Sequence, residues 1–272
     1  ATGEDVRAYD LAGREEEAPE AAGDALAILA DSRLASGEGP AFDLLERALE
    51  LDRSRPDFVV GSLEILAGNL RTADRIEESR ACWRESLARL ERSGYESRRV
   101  STLVQSAFTE LLAGDHRRAG DLLDIADRLA EDLGADTTGP RLYLAHLAAL
   151  TGDRAAVRTA ASAGLAEANA AGHAWVVALW HRSLGIDALT AGDAGLAADH
   201  LRHTLDAALD LGILEPNWVR VDGDLVEALV GAGRLDAAEA ALIDFVARGA
   251  TAHLPWTVVA QARARGVLLA AR

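Results

Sequence analysis

Apolar residues along this chain recur every three to four positions, the spacing of an amphipathic helix, and no run alternates with the two-residue period of a strand. From about residue 20 onward the period predicts helices over 21–35, 40–51, 57–72, 75–93, 97–113, 116–133, 140–150, 153–171, 174–190, 194–211, 216–231, 234–248 and 256–271. Residues 1–20 lack it: Glu4-Asp5, Glu15-Glu16-Glu17 and then Pro19 read as an acidic tail or a frayed helix.

The helices are punctuated by a turn that repeats. Its clearest copies are Leu112-Ala113-Gly114-Asp115, Leu150-Thr151-Gly152-Asp153, Ala191-Gly192-Asp193 and Gly231-Ala232-Gly233-Arg234, with weaker ones at Ala35-Ser36-Gly37 and Ala73-Asp74-Arg75. Anchored on Ser36, Asp74, Gly114, Gly152, Gly192 and Gly233, the steps are 38, 40, 38, 40 and 41 residues. A second set, Gly94, Gly134, Gly172, Gly212 and Gly249, keeps the same period and reads as left-handed caps closing the second helix of each pair. Small residues recur at fixed offsets too. Seven before each anchor lie Leu29, Ala67, Ala107, Ala145, Gly185 and Val226. Five after it lie Ala41, Ser79, Ala119, Val157, Ala197 and Ala238, and twelve after it Ala48, Ser86, Ala126, Gly164, Thr204 and Phe245.

A period near 40 with small residues at constant offsets is the signature of stacked helical hairpins, each burying its apolar face on the next. The expected fold is all-α: a right-handed superhelical solenoid of about six tetratricopeptide-like hairpins over 21–272, period about 38–41 residues. First helices should line the concave face and second helices the convex one. The stretch from Pro255-Trp256 to Arg272 reads as the first helix of a seventh hairpin, truncated before its partner, as in a piece of a longer protein.

Composition narrows the chemistry. All 28 basic residues are Arg, so no Walker A lysine, Schiff base or lysine general base is available. A net charge of −16 argues against a nucleic-acid-binding surface. Cys82 is the single cysteine, which excludes an intrachain disulfide and a multi-cysteine metal site and leaves a small buried hydrophobe as its expected role. With neither a signal peptide nor an apolar run of membrane-spanning length, the expected location is cytoplasmic.

Near the C-terminus, the block from Asp222-Gly223-Asp224-Leu225-Val226-Glu227-Ala228-Leu229 through Gly233-Arg234-Leu235-Asp236-Ala237-Ala238-Glu239 is followed by Leu254-Pro255-Trp256 and Ala262-Arg263-Ala264-Arg265-Gly266-Val267-Leu268-Leu269-Ala270-Ala271. These blocks, and the segment from Leu184-Gly185 to Leu201, resemble the helical-repeat region of the large ATP-binding LuxR-type transcriptional regulators of actinobacteria. The resemblance covers roughly residues 25–272 and is most specific from 180 onward. It implies a non-catalytic sensor and regulatory domain, controlling the nucleotide and DNA-binding modules of a parent protein through an inducer or a protein partner. Those modules are not in this sequence: ATP is implied only for the parent, and no cofactor is expected here. The alternative is a plain protein-binding scaffold with no small ligand. Oligomerisation is compatible with both.

Individual residues carry sharper expectations. Trp175, Trp218 and Trp256 stand at similar distances before successive turns. They read either as an aromatic ladder on the concave face or as wedges between hairpins, the second being the commoner fate of tryptophan. Trp83 and Trp180 read as further wedges. His181 reads as a pocket wall. His200 and His203, with Asp199, form an H-x-x-H on one helix face, a spacing that metal sites use, but with no third ligand nearby in sequence no metal is expected. His116 reads as an exposed first-turn residue. Arg98-Arg99 and Arg117-Arg118 are either an anion clamp or charge balance on an acidic surface, the latter favoured. No hydrolase motif is present.

Overall fold

The computed structural model describes residues 19–53 and 61–272, which form fourteen helices and no strand. They are α1 (Pro19–Ala35), α2 (Phe42–Arg53), α3 (Gly61–Thr72), α4 (Ile76–Ser93), α5 (Glu96–Ala113), α6 (His116–Leu133) and α7 (Thr138–Thr151). There follow α8 (Arg154–Ala170), α9 (Ala174–Thr190), α10 (Ala194–Asp210), α11 (Pro216–Val219), α12 (Asp222–Gly231), α13 (Leu235–Arg248) and α14 (Pro255–Ala270). The acidic segment 1–18 and the predicted helix start at 57–60 lie outside the described residues.

The hairpins are α1/α2, α3/α4, α5/α6, α7/α8, α9/α10 and α12/α13, with α14 laid against the last. Every one of the repeated-offset residues is buried, from Leu29 and Ala41 in the first hairpin to Ala238 and Phe245 in the sixth. Most of them are small because helix backbones packed closely leave little room at the crossing point. Two positions have no room even for a methyl. A methyl at Gly164 would sit 2.2 Å from the Trp180 ring, and one at Gly185 would sit 2.8 Å from Leu201.

The turn chemistry follows the sequence with two corrections. Asp74, Gly114, Gly152, Gly192 and Gly233 all adopt the left-handed conformation, but in the first hairpin Gly37 does so, one residue past Ser36. Gly94, Gly134, Gly172 and Gly212 are left-handed caps, whereas Gly249 has φ −79°. There the glycine provides space: a methyl on it would lie 2.5 Å from Thr257 Cγ2. Asp115, Asp153 and Asp193 cap α6, α8 and α10 by accepting the amide proton three residues on.

A third correction concerns the helix expected over 216–231, which breaks into α11 and α12 at Arg220, a non-glycine residue with φ 56°. The break lies where the solenoid closes on itself. Leu214 and Glu215 donate their backbone N–H groups to Ala35 O at 2.7 and 3.0 Å, joining the connection after α10 to the first hairpin turn. Asn217 donates to Thr72 O at 2.6 Å. Asp74, itself left-handed, gathers the rest: its carboxylate accepts from Arg220 Nη2 at 2.6 Å, from Asn217 Nδ2 at 3.2 Å and from the Trp256 backbone at 2.9 Å. Leu34, Ala73 and Leu254 form an apolar cluster at the same seam. The start and end of the superhelix are thereby tied together.

Candidate ligand cavity

Closure turns the concave face into a cavity of about 630 Å³, within the range of small-molecule sites. Its walls come from α1, α3, α5, α7, α9 and the short α11, with Trp83 of α4 the one residue contributed by a second helix of a hairpin. First helices therefore line the concave face, as the repeat predicts.

One wall is cationic and aromatic. Arg71 and Arg182 both approach the Phe108 ring, with their guanidinium carbons 4.5 and 5.5 Å from its centroid. Tyr143 packs on the same ring at 5.0 Å between centroids. Arg71 donates to Gln105 Oε1 at 2.8 Å. Enclosure in protein holds its guanidinium pKa down to about 10, although the side chain keeps some water contact through the cavity. Arg182 is 5% exposed and has no hydrogen-bond or ion-pair partner among the described residues; its Nε is fully buried and unpaired. Burial lowers its pKa, offset in part by Tyr143 and Asp224. Trp175, Trp218 and Leu179 complete this side.

The lining also carries acids that already have partners. Asp31 accepts from Asn69 Nδ2 at 2.9 Å, and burial raises its pKa. Glu64 pairs with Arg98 at 2.7 Å and accepts from the Thr102 hydroxyl.

Trp175 and Trp218 line the cavity. Trp256 does not: its ring packs 6.1 Å from Phe245 and under the Arg220 guanidinium at 5.4 Å, as part of the closing seam. His181 lies on another face of α9. Its Nδ1 is 2.8 Å from His200 Nδ1, and its ring stacks 4.0 Å from His203. Folding thus adds a third imidazole to the H-x-x-H pair. The rings meet at tilted angles, and no group of three or more potential ligands able to hold a metal occurs among the described residues. Burial and its two neighbours push the His181 pKa down to about 4. Trp83 and Trp180 are buried wedges, and Trp83 donates its indole N–H to Thr109 Oγ1 at 2.9 Å. Arg99 and Arg118 pair with Glu96 and Glu110 at 2.6 and 3.2 Å, and exposed Arg117 reaches Asp121 at 3.4 Å; of the four arginines in those doublets only Arg98 borders the cavity.

Arg71 and Arg182 belong to no recognisable motif in the sequence. A signal for Arg182 existed: it is one of only two charged residues, with Asp187, in the otherwise apolar segment of α9. Asp187 is answered by Arg154 at 3.3 Å, whereas Arg182 makes no ion pair among the described residues and its Nε is unpaired.

No known protein family and no characterised protein sequence matches this chain. Solved structures do. A signal-transduction ATPase with numerous domains (STAND) from Pyrococcus horikoshii, carrying a tetratricopeptide repeat sensor, superposes with a TM-score of 0.57 over 94% of this chain and 40% of its own, at 14% identity. The APC/C hetero-tetramer Cut9–Hcn1 gives 0.51 over 98% of this chain and 54% of its matched chain, at 16% identity. The chain is thus similar in fold to tetratricopeptide-repeat solenoids and spans about half the length, or less, of the proteins it matches. No helix among the described residues is long and apolar enough to cross a membrane.

Proposed function

We propose that this chain is the non-catalytic sensor arm of a larger, ATP-dependent LuxR-type regulator, and that a molecule bound in the axial cavity sets the state of the parent's nucleotide and DNA-binding modules. The observation that carries this reading is closure. The cavity walls belong to hairpins at both ends of the chain, and the seam through Asp74, Asn217 and Arg220 joins those ends. A ligand touching both α3 and α9 gains contacts when the ring is closed and loses them when it opens. That differential affinity is the only means by which a ligand shifts a conformational equilibrium. The resemblance to LuxR-type repeats and the likeness in fold to a sensor-bearing signal-transduction ATPase support the same role.

Small-angle scattering of the purified chain tests it, together with native mass spectrometry for a retained ligand. A co-purified or added cavity ligand should sharpen the closed form and reduce the radius of gyration. Identical scattering with the cavity filled refutes the sensor mechanism.

One observation favours a protein-binding scaffold instead. A second groove, about 320 Å³, runs between α13 and α14, lined by Leu242, Val246 and Leu268, with Ile243 and Leu269 well exposed. If the chain captures a protein through this groove while the cavity binds nothing, the scaffold reading replaces the sensor reading.

A further inference from the structure

The geometry points to a specific ligand class for the axial cavity: a small organic monocarboxylate with a flat apolar body, its carboxylate held by Arg182 and Arg71 and its body laid among Phe108, Tyr143, Trp175 and Trp218. This rests on the sensor reading of the cavity and names what that cavity selects.

The charge requirement comes from Arg182. A guanidinium removed from water is tolerated when a carboxylate or a set of acceptors replaces its hydration. Asp187, one turn along the same helix, has such partners in Arg154 and Arg158. Arg182 has the face of Phe108, 5.5 Å from its guanidinium carbon, and the more distant Asp224 charge, and its Nε is buried without an acceptor. The side chain is 95% buried and borders the cavity, so a ligand there comes up against the part of it that stays exposed. Guanidinium groups match carboxylate oxygens in a planar two-point contact, and charge-assisted bonds of that kind are the strong ones.

The limit to a single negative charge comes from the rest of the lining. Arg98 is already neutralised by Glu64, and Arg71 is engaged by Gln105 and lies in the field of Asp31. Arg182 forms no ion pair among the described residues and has only the longer-range field of Asp224. Asp24 and Asp31 in the same lining repel a second negative charge, which disfavours a phosphate dianion. The aromatic side chains give the body its shape preference: flat apolar groups stack on such rings, whereas a sugar-sized polyol meets few free acceptors here.

The test uses the whole chain and defined probes: benzoate, indole-3-acetate and octanoate as monocarboxylates, benzamide as the uncharged analogue, and phenyl phosphate and inorganic phosphate as dianionic controls. Binding is read by calorimetry and by the fluorescence of Trp175 and Trp218. At least one monocarboxylate should saturate the protein below about 1 mM. The amide should bind roughly tenfold or more weakly. Arg182→Met should abolish binding, and Arg182→Lys should restore part of it.

Arg182→Met should also raise the melting temperature of the free protein, because it removes an unpaired buried charge and keeps most of the apolar volume. A purely structural Arg182 predicts the reverse, a lower melting temperature with carboxylate binding unchanged. That result overturns the proposal, as does preference for either phosphate or saturation by none of the monocarboxylates up to about 10 mM. A carboxylate that binds through Arg182 without altering the scattering curve upholds the ligand class and refutes the sensor mechanism, so the two failures are distinguishable.

Discussion

Asp74 is the residue on which ring closure depends most, and replacing it separates two energetic effects. It has φ 62°, a conformation costing about 1–2 kcal/mol for a residue with a Cβ unless the side chain is locally compensated, as an aspartate can be. Its carboxylate is the ion-pair partner of Arg220, which is 8% exposed, and it also accepts the Asn217 and Trp256 N–H groups. Removing one partner of a buried pair costs about 3–5 kcal/mol, chiefly because the other charge is left unpaired. Asp74 is 21% exposed, which places the expected loss near the low end, about 3 kcal/mol. Asp74→Gly loses the carboxylate without backbone strain and should cost about that much. Asp74→Ala adds about 1 kcal/mol for the left-handed backbone. Asp74→Asn keeps the turn and one acceptor and should fall between wild type and glycine. Urea denaturation measures the loss, and hydrogen exchange locates it: the amides of Leu214, Glu215 and Trp256 should lose protection in Asp74→Gly while those of α6 and α8 do not. If Asp74→Gly unfolds within about 0.5 kcal/mol of wild type with those amides still protected, the seam does not hold the ring and the argument for a closed cavity fails.

Other substitutions and titrations test further parts of the structure. Gly164→Ala drives a methyl into the Trp180 ring and should cost about 1–3 kcal/mol, while Gly195→Ala, which meets nothing, should stabilise α10 by about 0.5–1 kcal/mol, both read from urea midpoints. His146 is buried and held well below 6.5 by desolvation and then Arg182, and His181 is lowered to about 4. Both folded values lie below the unfolded one, so from about pH 6.5 down to about pH 4 the unfolded chain binds more protons and stability falls as pH falls. These imidazoles should therefore lower the urea midpoint between about pH 7 and about pH 5, against the opposite contribution of the buried, raised Asp222 and Asp224, and His146→Gln should make the slope less positive with pH; an unchanged slope in that variant contradicts the burial of His146. Desolvation and the Glu85 and Glu78 charges raise the Cys82 thiol from 9.0 to about 11, so its alkylation rate near neutral pH should be about a hundredfold below that of a free thiol at its ordinary value and keep rising past about pH 10.

The repeat itself was legible in the sequence because each hairpin obeys local rules. Helix period, glycine turns, aspartate caps and small residues at crossing points depend on neighbours within about one repeat, so a spacing near 40 residues, with Gly164 and Gly185 at their offsets, suffices to define the hairpins and the concave face. The spacing of the tryptophans leaves a concave ladder and wedges between hairpins both open, with wedges favoured; Trp175 and Trp218 line the cavity and Trp256 lies in the seam. Tertiary structure alone decided the closure. The bonds from Asn217 to Thr72 and from Trp256 to Asp74 join residues 145 and 182 positions apart, far beyond the reach of any single repeat's local rules. The left-handed turn at Arg220 has no glycine or proline to announce it, because the Asp74 contact stabilises it from outside the segment. His181 joins His200 and His203 for the same reason, across two helices. Arg71 and Arg182 likewise become one wall only when Phe108 is brought between hairpins that the sequence keeps far apart. Spacing specifies which face of a helix a residue occupies; whether a charge on that face finds a partner is settled by what the superhelix places opposite it.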